Sequence, residues 1–238
     1  EFLVGLDLIA SEDIAKVLRN RSGVLSELNS LSGWNVLPGD ELLVEVGVQN
    51  RGITTSSATT MSVTGPDGQD TSYSLPPLAT YAAHKVNFSW TVPEDQAIGI
   101  LPVTWEADPS NVNSADANTD NNVAQLEIFV GRLPTPVVQN ASALTMETLT
   151  LDAASSFDED GGSVACEFNI PYDDGTRTWA YEKIPSQDCS VNFTWIDDGT
   201  YPVEVTVIDE ERDEVQVILL ASIGNREPKI EIRSSRSE

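Results

Sequence analysis

The stretch TYPVEVTVIDEERDEVQVIL, residues 200–219, decides the fold class. Tyr201, Val203, Val205 and Val207 alternate with Pro202, Glu204 and Thr206. A period of two puts one set of side chains on a buried strand face and the other in solvent. An acidic turn follows, and Val215, Val217 and Leu219 then resume the alternation. β-Branched residues on both sides of a polar turn read as antiparallel strands. The pattern recurs outward along the chain. Leu42, Val44, Val46 and Val48 alternate with Leu43, Glu45, Gly47 and Gln49, and Val86, Phe88, Trp90 and Val92 with Asn87, Ser89 and Thr91. Short runs bounded by Gly, Pro, Asn and Asp predict an all-β chain of two tandem immunoglobulin-like β-sandwiches.

One segment departs from that period. Ile14, Val17, Leu18, Leu25 and Leu28 fall at helical spacing, with Ser11 as N-cap and Glu12 and Asp13 at the positive helix end. A helical insertion over 11–31, divided at Gly23, is therefore expected between a first strand near Val4–Ile9 and the second strand. The chain is long enough for two domains. The boundary is expected at Gly131-Arg132-Leu133-Pro134-Thr135-Pro136, where two prolines stop both helix and strand. This gives a first domain at 1–133, a second at 134–224, and a remainder at 225–238 that opens another alternating strand, Lys229 to Ile232.

The chain carries 38 acidic against 13 basic residues, a formal net charge of −25. Such a surface repels phosphate backbones and anionic lipid, which argues against nucleic-acid binding and electrostatic membrane docking. No apolar run is long enough for a membrane-spanning helix, so direct membrane insertion is not expected. One histidine and two cysteines are too few for most zinc, haem or Cys/His catalytic sites. Four lysines against nine arginines fit a protein of a saline setting, and an archaeal source is expected. The first residue is not Met, and the chain reads as a piece of something longer.

Residues 134–224 resemble the PKD domain. The resemblance rests on 149–176, LTLDAASSFDEDGGSVACEFNIPYDDGT, and on 197–214, DDGTYPVEVTVIDEERDE. The family's Trp-x-Phe-Gly-Asp-Gly stretch is replaced here by Glu167 to Gly175. Residues 1–131 resemble the CARDB family of adhesion-type modules, through LPGDELLVEVGVQNRG (37–52), LPPLATYAAHKVNFSWTVP (75–93) and DPSNVNSADANTDNNVAQLEIFV (108–130). Both resemblances imply small β-sandwiches of secreted and cell-surface proteins, used as spacers, adhesive modules or accessory domains of hydrolases.

Several residues are candidates for chemistry. Cys166 and Cys189, both beside predicted strands of one domain, are expected to form a disulfide. Asp108, Asp116, Asp120 and Asn122 lie in a loop rich in hard oxygen ligands, and Asp158 and Asp160 in a second, with Asp209 or Asp213 as partners in space. Calcium takes 6–8 such oxygens, so calcium is the expected ion at both. The alternative at both is a turn in which Asp and Asn bond their own backbone. Trp179 and Tyr181 sit in a polar stretch and are candidates for an exposed glycan-stacking platform, whereas Trp90 and Trp105 read as core. Tyr201, after Asp-Gly-Thr, fits a corner tyrosine whose hydroxyl bonds backbone. Asn20, Asn87, Asn140 and Asn192 head glycosylation sequons.

No catalytic residue is identified and no enzymatic activity is expected. The reading is a non-catalytic extracellular structural or adhesive module of a cell-surface protein or filament. Its partners would be other copies or domains of the same protein, through strand addition by Phe2–Ile9 or Lys229–Ile232, with glycans as a further class. The alternative is an accessory glycan- or protein-binding module of a secreted hydrolase.

Overall fold

The computed structural model describes residues 5–29, 35–173 and 179–227. Residues 2–4 of the expected first strand, the end of the expected insertion at 30–31, Asp174 and Gly175, and the expected strand 229–232 lie outside the described residues. The chain divides into two compact units, Glu1–Arg132 and Leu133–Glu238. Each is an immunoglobulin-like sandwich of β-sheets, and each is described by itself.

Among its described residues the first unit contains ten strands, β1 (Leu8–Ala10), β2 (Lys16–Arg21), β3 (Val24–Leu28), β4 (Asn35–Val36), β5 (Glu41–Asn50), β6 (Thr59–Thr64), β7 (Asp70–Leu75), β8 (Ala83–Thr91), β9 (Gly99–Ala107) and β10 (Val123–Val130). One sheet is built on β5. Its first half pairs with β2 and its end with β1, while β8 runs antiparallel along its other side. The facing sheet has the order β4-β10-β9-β6-β7. The alternation read from sequence is the burial pattern: Leu42, Val44, Val46 and Val48 are buried, and Val103, Trp105, Leu126 and Ile128 meet them. The Trp105 indole Nε1–H donates to the Gly47 carbonyl at 3.0 Å, so the ring's polar edge is satisfied inside the core.

Residues 11–31 do not form the expected helices. Ser11 does cap, accepting the Asp13 N–H, but only a single 3₁₀ turn follows, Glu12–Ile14. Residues 16–28 form the β2–β3 hairpin, paired from Val17↔Leu28 to Arg21↔Val24. Its two-residue turn is Ser22-Gly23, both with positive φ, which is the conformation a tight hairpin needs. The helical stripe is a coincidence of spacing. Only Val17 and Leu28 are buried, and Leu25 points to solvent. The hairpin is held to β5's entry turn by Arg21, whose guanidinium grips both carboxylate oxygens of buried Asp40.

The second unit contains β11 (Ala141–Leu144), β12 (Thr148–Asp152), β13 (Ala165–Asp173), β14 (Trp179–Ser186), β15 (Ser190–Thr194), β16 (Gly199–Ile208) and β17 (Glu214–Gly224). Five strands form the sheet β11-β17-β16-β13-β14, and β12 pairs with β15 in the other sheet. The deciding stretch is the β16–β17 hairpin, registered from Gly199↔Ile223 to Ile208↔Glu214. Its buried Tyr201, Val203, Val205 and Val207 pack with Phe168, Ile170, Leu149 and Leu151. Cys166 and Cys189 are joined in a disulfide inside this core. Tyr201 donates its hydroxyl to the Asp197 carbonyl at 3.1 Å, as a corner tyrosine does.

Candidate metal centre

Two turns meet at one end of the second unit. One is the connection from β12 to β13, carrying Asp158 and Asp160. The other is the β16–β17 turn, carrying Asp209, Glu211 and Asp213. The second turn is built on its own backbone: the Asp213 N–H donates to the Asp209 carboxylate at 2.7 Å, and Arg212 takes a positive φ. Glu210 ties the turns together, because one of its oxygens accepts both the Ser163 N–H and the Ser163 hydroxyl, at 3.0 and 2.9 Å.

That tie brings acids from distant sequence positions together. One carboxylate oxygen each from Asp158, Asp160 and Glu211 lie within 4.8 Å of one another. Asp158 Oδ2, Asp209 Oδ2 and Glu211 Oε2 are buried and have no hydrogen-bond partner. Burial pushes the Asp158 carboxyl up to about 7, with Asp160 and Asp209 adding to the effect. Burial pushes Asp209 up to about 6, and Asp213, Glu211 and Asp160 raise it further through like charge. Glu211 is raised for the same reasons, burial first. In each case burial and neighbouring acids leave the ionised form undersolvated, and a cation is what would relieve it.

The donor set decides which kind of cation. All the ligands are hard oxygens, which suit calcium or magnesium rather than zinc or copper. The three oxygens lie close enough together to face one hard divalent cation.

Asp158 and Asp160, named from sequence, are thus in one cluster, with Asp209 beside them. Glu211 was not foreseen; it reads in sequence as part of a solvated strand connection. No local spacing signals it, because it reaches the cluster only through the Glu210–Ser163 contact.

The loop of the first unit is different. Asp108 accepts the Val112 and Asn113 N–H groups and the Thr59 hydroxyl. These bonds hold its carboxyl below the usual range against the burial that would raise it. Asp116 accepts the Leu8 and Asn118 N–H groups and the Asn122 amide. The structure brings Asp116 and Asn122 together through that bond, while Asp108 is taken up by its own turn, and the acids of this loop are not among the clustered carboxylates found in the described residues. Asp120 lies in a short 3₁₀ turn, Thr119–Asn121.

Trp179 and Tyr181 are both exposed, at 58% and 62%, on β14 at the edge of its sheet. Asn87, Asn140 and Asn192 are exposed, and Asn20 donates its amide to Glu41. The Asn140 and Asn192 carbonyl oxygens accept bonds from Leu220 N–H and the Thr150 hydroxyl, leaving their amide nitrogens outside those bonds. Among the described residues no helix is long and apolar enough to cross a membrane.

A search of curated proteins returns no match. Among solved structures, a CARDB domain from Pyrococcus furiosus, crystallised in complex with di-metal ions, is 19% identical with a TM-score of 0.40. That match covers 55% of this chain and 94% of that domain. The fibronectin(III)-like modules of CbhA from Clostridium thermocellum are 13% identical with a TM-score of 0.37, covering 85% of this chain and 95% of theirs. At the level of sequence, the CARDB family model matches residues 25–125, which places that family's pattern within the first unit.

Proposed function

We propose that the chain is a non-catalytic structural or adhesive module of an extracellular, cell-surface protein. Calcium at the Asp158/Asp160/Glu211 cluster would lock the two turns of its second unit. The observation that carries the reading is this oxygen-only cluster, in which Asp158 Oδ2 and Glu211 Oε2 are buried without a hydrogen-bond partner, in a unit already cross-linked by Cys166–Cys189. Disulfides persist in oxidising, extracellular settings, and a site of this kind is filled by millimolar calcium. The CARDB match at 25–125 supports an adhesion-type module, and the sequence resemblance of 134–224 to PKD domains supports a tandem of spacer modules. An acidic, lysine-poor surface suits a saline, archaeal setting. Partners would be further copies or domains of the same protein, joined by strand addition, in a filament or stalk.

The test is sedimentation velocity of the purified chain with calcium and again with chelator. Large species that collapse on chelation support calcium-dependent assembly. Large species indifferent to calcium keep the structural role and remove the metal from it. A monomer in both conditions overturns self-assembly by this chain.

Exposed Trp179 and Tyr181 favour a second reading, an accessory glycan-binding module of a secreted hydrolase. Retention on polysaccharide that is lost in Trp179→Ala would support it, and no retention would sink it.

A further inference from the structure

Asn140 and the edge of β17 meet in the second unit. β17 spans Glu214–Gly224, but β11 lies beside only its last part, from Ala141↔Ala221 to Leu144↔Gly224. On its other side β17 pairs with β16 in an unbroken register, in which Leu220 faces Pro202. Proline has no N–H to offer, and the Leu220 N–H points the other way, donating to Asn140 Oδ1 at 2.9 Å. Backbone groups alternate sides along a strand, so Ile218 and Gln216 also turn theirs away from β16. Among the described residues no strand lies alongside them there.

This open half-edge lacks the devices that protect sheet edges. Between Glu214 and Gly224 the strand has no charged residue and no proline, and its unbroken register leaves no bulge to twist it away. Ile218 and Leu220 are 50% and 39% exposed beside it. Uncharged, β-prone runs of this kind template pairing with another chain.

Asn140 stands where the cover stops. It is exposed, and it belongs to the irregular segment 136–140 that leads into β11. Its carbonyl oxygen is fixed by Leu220, which leaves the amide nitrogen on the other branch outside the ladder. Ser142, the hydroxyl residue of its Asn-Ala-Ser sequon, is exposed too. The other sequons are placed differently. Asn20 gives its amide to Glu41, and its Oδ1 is buried. Asn87 and Asn192 lie within β8 and β15, where a ladder holds the backbone, whereas a sequon is used on a surface loop.

We propose that Asn140 carries an N-linked glycan that shields the open half of the β17 edge. The donor is an oligosaccharide activated as a lipid phosphate. Asn140 Nδ2 forms a bond to its C1, the C1–O bond to phosphate breaks, the lipid phosphate leaves with that electron pair, and Nδ2 gives up one proton. From Leu220 to Gln216 is about 13 Å along the strand, within reach of a short glycan. A glycan is bulky and hydrated and has no peptide ladder to extend, so it occupies the edge without propagating it. The inference rests on the extracellular reading and not on the calcium cluster, and it reserves strand addition for other edges.

The test is peptide mass spectrometry of the protein isolated from the cells that make it, beside Ser142→Ala and Ser142→Thr. Ser142→Ala removes the acceptor pattern and keeps Asn140 with its bond to Leu220; Ser142→Thr keeps both. The expected result is a glycan on Asn140 in the parent and in Ser142→Thr, and none in Ser142→Ala. Sedimentation velocity in chelator should then show at least about 5-fold more large species in Ser142→Ala than in the other two, returned to the parent level by adding Ile218→Lys. An unmodified Asn140 in protein recovered outside the cells overturns the proposal and leaves the extracellular reading standing. Protein found only inside them overturns both. A glycosylated parent whose association is unchanged in Ser142→Ala also overturns the proposal, because the glycan is then a bystander to the edge. So does association that rises equally in Ser142→Ala and Ser142→Thr, or that survives Ile218→Lys, because another surface is then responsible.

Discussion

Without metal, the second unit should lose stability as pH rises from 5 to 7.5, and calcium should remove that loss. Asp209 goes from an ordinary 3.8 to about 6 in the folded chain. Between those values the folded state holds a proton that the unfolded state has released. The stabilisation from that proton is complete below the unfolded value and disappears as pH rises through the folded one. Two units at about 1.4 kcal/mol each give about 3 kcal/mol as an upper figure. Asp158 rises further, to about 7, but it shares its surroundings with Asp160 and Asp209, so the group titrates together and the contributions do not add. After allowing for solvent screening at these partly exposed groups, about 2 kcal/mol remains for the cluster. Calcium bound to the ionised cluster would compete with the protons, so its stabilisation should grow over the same interval. At a hundredfold excess over Kd it contributes about 2.7 kcal/mol. Calorimetry in chelator and in calcium at pH 5, 6 and 7.5 reads both trends, with the second unit's transition identified by its shift in a Cys166→Ala/Cys189→Ala variant. Asp209→Asn keeps the acceptor for Asp213 and should flatten the slope in chelator. A transition that rises with pH in chelator, or a calcium gain as large at pH 5 as at 7.5, would refute the reasoning.

Replacing both cysteines should cost the second unit about 3 kcal/mol in urea unfolding, from the chain entropy of a loop with separation 23, and leave the first unit's transition unmoved. Gly47→Ala places a methyl 2.7 Å from the Ile14 side chain and 3.1 Å from the His84 carbonyl. It should destabilise the first unit by about 1–3 kcal/mol, partly rescued by adding Ile14→Ala in a double-mutant cycle. Arg21→Met leaves the buried Asp40 carboxylate without its guanidinium, and should cost about 2–3 kcal/mol. Proteolysis of the freed β2–β3 hairpin should accelerate in that variant.

The strands were legible because one face of each sheet is buried and the period of two survives into the structure, as at Tyr201, Val203, Val205 and Val207. The corner tyrosine was legible because it rests on local sequence, and the disulfide because the chain's two cysteines fall in one unit and have no other partner to choose. The hairpin at 16–28 was not. Its Leu18 and Leu25 are at best partly buried, so the residues that completed a helical stripe carry no packing information, while the Ser22-Gly23 turn signal is only two residues long. The acidic cluster was half legible. Asp158 and Asp160 lie in one turn, but Glu211 joins them through the Glu210–Ser163 tie across 47 positions, which no local spacing shows. The Asp108 loop is ambiguous for the opposite reason. Oxygen-rich composition is shared by ion sites and by turns that bond their own backbone, and here Asp108 accepts three internal donors.

Calorimetric titration of the chain with calcium at pH 7.5 tests the central claim most directly, comparing the parent with Asp158→Asn/Glu211→Gln and with Asp116→Asn. The account requires one equivalent of calcium bound by the parent and by Asp116→Asn, and none by the Asp158/Glu211 variant. Calcium binding that persists in that variant, or that disappears in Asp116→Asn, would contradict it.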